Sequence, residues 1–118
     1  MYRATRDEKE IRWVGLAYDD LLGLPEEPRR QAGFQLGKVQ AGLDPDDWKL
    51  FDKAGAGVRE IRIREANGIY RVMYVAKFEE AVYVLHCFQK KTQATRKQDT
   101  TIAEVRYRAV INERKERK

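Results

Sequence analysis

Apolar and polar positions alternate most clearly between Gly57 and Thr92. Val58–Glu65 sets Ile61 and Ile63 against Arg62 and Arg64, the period of a strand with unlike faces. Ile69–Lys77 is rich in β-branched and aromatic residues and predicts a second strand. Ala81–Phe88 is almost wholly apolar, as in a strand covered on both faces. Ala66-Asn67-Gly68 supplies a tight turn, with Asn-Gly accepting positive φ at low cost. Phe78-Glu79-Glu80 makes a looser one. The unit reads as an antiparallel meander.

Upstream, Glu10–Val14 predicts a short strand with Ile11 and Trp13 on one face. Tyr18–Leu24 predicts a short helix with Leu21 and Leu22 inward, stopped by Pro25. A second helix runs from Pro28, whose missing N–H is no loss in a first turn, to about Ala41. Its apolar stripe is Ala32, Leu36, Val39 and Leu43, and Gly42 is its stop. Residues 43–57 read as a connector, with Trp48, Leu50 and Phe51 pinning it to the core. After the meander comes a polar, basic loop, Thr92–Asp99. A last helix, Thr101–Arg114, opens on a Thr101/Glu104 capping box and carries Ala103, Tyr107 and Val110 on one face. The order is strand–helix–helix–strand–strand–strand–helix. This is an α+β fold: a small antiparallel sheet, a helical hairpin on one face and a C-terminal helix.

The chain of 118 residues suits one domain with a single core. It has no apolar run of transmembrane length and no signal-like N-terminal segment, so a cytoplasmic protein with no membrane partner is expected. The net charge of +5 is uneven. Residues 1–50 carry 8 basic and 10 acidic side chains, and residues 51–118 carry 16 and 9. A positive half built around a meander suits a polyanionic partner, with nucleic acid first.

The residue inventory removes several chemistries. There is no serine, and one histidine with one cysteine cannot make a His/Cys zinc site. The acidic residues form no close cluster. Ala54–Gly57 lacks the Gly-Lys-Ser/Thr of a P-loop and leads into a strand. No metal or cofactor is expected. Arginine and lysine remain, which bind phosphate and support one metal-free reaction, RNA cleavage by the substrate's own 2′-hydroxyl.

Three stretches carry a resemblance: Gly57–Arg62, Tyr70–Tyr74, and Leu85–Gln93 with its Lys90-Lys91-Thr92-Gln93 run. Together they resemble the phage Gp49-like branch of the HigB/RelE toxins. The similarity extends over most of the chain. It implies the toxin of a type II toxin–antitoxin pair, a single RelE/HigB-like domain over 1–118 that cuts mRNA in the ribosomal A site. The partners it implies are the ribosome, mRNA and a cognate antitoxin, commonly a HigA-like helix-turn-helix protein through which the pair reaches operator DNA. By position, Arg62 matches a basic catalytic residue and Arg71 the arginine held against the scissile phosphate. Lys90 or Lys91 matches the residue serving the leaving group. The surrounding RNA-binding residues are Arg59, Arg64, His86, Gln89, Thr92, Arg96 and Lys97. Each has a plainer reading: Arg62 and Arg64 as edge-strand surface, and Arg71 as the partner of Glu60 or Glu65. His86, sharing parity with Val84 and Phe88, is first a hydrogen-bonded core histidine. Two departures stand out. Glu60 occupies a position where RelE has a lysine, and no tyrosine begins the last helix. The alternatives are a ParE-type gyrase inhibitor and a non-toxic phage-derived binding module.

Overall fold

The computed structural model describes residues 8–91 and 94–117. Five strands, β1 (Glu10–Trp13), β2 (Trp48–Leu50), β3 (Arg59–Glu65), β4 (Gly68–Val75) and β5 (Ala81–Lys90), form one sheet in the order β1-β5-β4-β3-β2. Three helices, α1 (Ala17–Leu22), α2 (Glu26–Gln40) and α3 (Lys97–Glu116), pack on it. The α+β class is as expected, and so is the element order apart from one added strand, β2. The sheet is mixed, however, because β1 runs parallel to β5 while every other pair is antiparallel. The reason is β2, absent from the expected order. Four alternating strands from β2 to β5 bring the chain back beside β1 in β1's own direction. With three residues, Trp48–Leu50 is too short to display a period.

Each sheet face has its own core. One face packs Ile61, Ile63, Tyr70, Val72, Tyr74, Val82, Val84 and Cys87 against Ala17, Leu21, Ala32, Leu36 and Val39 of α1 and α2. The other packs Met73, Val75, Tyr83, Leu85 and Phe88 against Phe51, Ala54, and Ala103 and Val110 of α3. Burial from both sides explains why β4 and β5 lack the alternation of β3. Leu22 and Leu43, expected inward, are exposed. Leu43 lies past the end of α2, in a full C-terminal motif. Gly42 takes φ +83°, its N–H donates to Val39 O at 3.0 Å, and Leu43 N–H donates to Lys38 O at 2.9 Å. At the β3–β4 turn neither Ala66 nor Asn67 takes positive φ; Gly68 does, at +154°.

Two local features set up the site. The first is a register shift in β4–β5: Met73 faces His86 but Tyr74 faces Val84, so Leu85 is an extra residue. The bulge turns His86 and Phe88 to the α3 face, while Val84 stays on the other. The second is the start of α3 at Lys97, one turn before Thr101, so Thr101 and Glu104 lie inside the helix rather than at its cap. The early start places Asp99 in the first turn, against His86.

Candidate functional site

Alternation along β3 puts Glu60, Arg62 and Arg64 on the α3 face. β4 adds Ile69, Arg71 and Met73, and β5 adds Phe88 and Lys90. The register sets Arg62 opposite Arg71, and Arg64 opposite Ile69, which in turn faces Lys90. α3 covers only the end of this face near Met73, Val75 and Leu85. The other end is an open cleft of about 710 Å³ lined by Lys49, Arg62, Arg64, Ile69, Arg71, Lys90 and Lys91. Six of the seven are cationic and none is acidic.

Two arginines directly opposite one another repel, and each is held by a different carboxylate. Asp47 takes Arg62. It accepts the Arg62 backbone N–H on its carbonyl at 2.8 Å and Nε on its carboxylate at 2.8 Å, with Nη2 at 2.7 Å. Glu60 takes Arg71. Its carboxylate, 0% exposed, brings Oε1 to 3.1 Å from Arg71 Nε and 3.8 Å from Lys49 Nζ, while Oε2 accepts from Thr95 Oγ1 at 3.5 Å. The Arg71–Glu60 contact is close enough for charge attraction but off-axis for a hydrogen bond. Glu60 Oε1, Arg71 Nε and Arg71 Nη1 are buried without an aligned partner among the described residues.

Arg71 is 4% exposed. Burial pushes its pKa down, Glu60 pulls it up, and the Arg62 and Arg64 charges push it down again. A guanidinium keeps its proton through such a shift. What remains is a fixed cation at the floor of a positive cleft, suited to hold an anion by charge. Lys90 is also pushed down, by burial first and then by the Arg71 charge. Its ammonium therefore gives up a proton more readily than an ordinary surface lysine's.

The four residues matched to catalytic positions, Arg62, Arg71, Lys90 and Lys91, line this one cleft, and Arg64 joins them. Others lie elsewhere. Arg59 sits on the opposite face of β3 with Ile61, its guanidinium 4.1 Å from the Trp48 ring centre and 3.2 Å from Asp44. Gln89 faces Tyr70 on that same side. Arg96 and Lys97 are exposed at the start of α3 and do not line the cleft. Thr92 lies outside the described residues. His86 is buried behind the cleft, not open on it. Nδ1 is 3.1 Å from Asp20 of α1, Nε2 is 2.9 Å from Asp99 of α3, and its ring stacks on Phe88 with centroids 4.9 Å apart. Asp20 also accepts from Arg106 at 2.7 Å. The bulge at Leu85 makes this placement, since unbroken parity would send His86 to the side of Val84. The Cys87 thiol is pushed up to about 12 by burial, which leaves it no thiolate at neutral pH. Among the described residues, no three His, Cys, Asp or Glu side chains group as a metal site. Lys49, on β2, falls in the stretch that the sequence pattern predicts as a connector and is not among the expected site residues. Glu60, expected as a partner for Arg71 and as a departure from the RelE lysine, also lies 3.8 Å from Lys49.

A five-stranded mixed sheet with helices on both faces and a cationic cleft at the uncovered end of one face is consistent with a RelE-like fold. The family model of the phage-derived protein Gp49-like matches residues 19–108, from α1 into α3 and across the whole cleft. The chain belongs to this family, which is of the RelE/HigB toxin type and falls within the toxins of toxin–antitoxin pairs. No curated protein matches it as a relative.

Proposed function

We propose that this chain is a single-domain, metal-independent mRNA endonuclease that acts on the ribosome and is neutralised by a cognate antitoxin of helix-turn-helix type. The observation that carries the reading is the convergence of Arg62, Arg64, Arg71, Lys90 and Lys91 on one acid-free cleft around a buried guanidinium. The scissile phosphate sits on Arg71, and Arg62 adds charge from the facing strand. The ribose 2′-oxygen attacks phosphorus and its proton passes to solvent. As the new P–O2′ bond forms, the P–O5′ bond breaks, and Lys90 or Lys91 protonates the departing 5′-oxygen. The products are a 2′,3′-cyclic phosphate and a 5′-hydroxyl. The cations stabilise charge that develops only in the transition state.

Purified protein, programmed ribosomes and an mRNA with one 2′-deoxy sugar just upstream of the cut test this. The ordinary message is expected to yield a cyclic phosphate end, and the deoxy message to bind but resist. Cutting of the deoxy message at an undiminished rate would make water or a protein group the nucleophile and remove the mechanism. Growth arrest through DNA damage rather than halted translation would favour a gyrase inhibitor instead.

A further inference from the structure

We infer that Lys49 is a further catalytic residue, the cation that contacts the RNA on the nucleophile's side of the phosphate; this rests on the RNA-cleaving reading of the cleft. An in-line displacement places attacking and leaving oxygens on opposite sides of phosphorus. The cleft has matching flanks. Lys90 stands on β5, Arg71 on β4 between, and Lys49 on β2, with β2 and β5 three strand spacings, about 14 Å, apart. Lys49 lies in the cross-strand row of Glu60, Arg71 in that of Arg62 and Lys90 in that of Arg64, so the two lysines bracket Arg71 diagonally across the cleft that all three line. If Lys90 serves the leaving oxygen, the opposite flank serves the 2′-oxygen.

On that flank the alternatives are committed. Arg62 has its Nε and Nη2 engaged by Asp47 at 2.8 and 2.7 Å. Arg64, also on the cleft, has Asp47 3.8 Å from its Nε. Lys49 is the one β2 residue on this face, since Trp48 and Leu50 alternate to the other. It lies directly opposite Glu60 in register. Its side chain is 43% exposed, and its one ion-pair contact among the described residues is the 3.8 Å approach to Glu60 Oε1. Glu60 thus stands between Lys49 and Arg71, near enough to steer both cations toward one anion while each keeps N–H groups to donate.

Lys49→Ala and Lys49→Arg test the inference, with Lys53→Ala as control for a lysine outside the cleft. Single-turnover cutting on ribosomes is expected to fall about 10²-fold in Lys49→Ala, to stay within about tenfold in Lys49→Arg, which keeps a cation there, and to be unchanged in Lys53→Ala. Wild-type rates in a folded Lys49→Ala, or a Lys49→Arg as slow as Lys49→Ala, would overturn it. A second measurement does not depend on cleavage. Binding of a short 2′-O-methyl oligoribonucleotide, followed by fluorescence anisotropy against salt, is expected to weaken in Lys49→Ala, with the salt slope shallower by about one. Unchanged affinity and slope would overturn the inference by themselves. A wild-type protein that binds but does not cut would instead remove the proposed function.

Discussion

Arg71→Ala is the obvious probe of the cleft, and the structure predicts that it will cost stability as well as activity. The guanidinium and the Glu60 carboxylate are both buried, 3.1 Å apart. At an effective dielectric of about 20, two unit charges at that distance attract by roughly 5 kcal/mol. Much of this offsets the desolvation of the two groups, so the intact pair stabilises little. Removing one partner is different, because the carboxylate stays buried without its counter-charge. Breaking such a pair costs about 3–5 kcal/mol. Lys49, 3.8 Å from the same oxygen, stays behind as a partial partner, so about 3 kcal/mol is expected. For a chain of this length that lowers Tm by roughly 10 °C. Replacing both groups, Glu60→Leu with Arg71→Leu, removes the stranded charge and is expected to return stability to within about 1 kcal/mol of wild type. Cleavage should remain lost in both variants, by about 10²- to 10³-fold. The assay is urea unfolding followed by circular dichroism, with cutting measured on the same preparations. An Arg71→Ala protein that unfolds at the wild-type midpoint would refute the energetic argument. A double variant no more stable than Arg71→Ala would refute the coupling.

Two further expectations concern the contacts that hold α3 to the sheet. The Glu80 carboxylate, hydrogen-bonded by Arg114 of α3 and by the Tyr83 hydroxyl, is held at about 2 against an ordinary 4.5. The unfolded chain takes up this proton near pH 4.5 and the folded chain only near 2, so the stabilisation is complete above 4.5 and fades as pH falls toward 2. Urea midpoints of wild type should drop across that window more steeply than those of Glu80→Gln, and parallel curves would remove Glu80 as the cause. His86→Asn should lower stability by about 2 kcal/mol, because Asp20 and Asp99 lose the ring between them, yet the folded protein should still cut RNA. A fully stable His86→Asn without cutting would return His86 to the site.

How much of this was legible in the sequence differs from element to element. The meander was readable because β3 keeps one wet face, so Arg62 and Arg64 alternate with Ile61 and Ile63. That same alternation put Arg62 and Arg71 on one cross-strand line. Lys49 was not readable, because a three-residue edge strand has no period to display. His86 keeps the expected parity with Phe88 but not with Val84. Its chemistry was anticipated, a hydrogen-bonded histidine in the core, but its face was counted by parity from Val84. A β-bulge breaks parity without a local signature in an apolar run, since Val84, Leu85 and Cys87 are buried whichever way they point. Leu85 therefore decides what the sequence conceals. By adding one residue to β5 it turns Phe88 and Lys90 toward Arg71, and it turns His86 into the seam between α1 and α3. The cleft depends on that extra residue as much as on its own cations: without the shift, Lys90 would fall on the side of β5 that faces α1 and α2, and Cys87 and Gln89 would take the places of Phe88 and Lys90 beside Arg71 and Ile69.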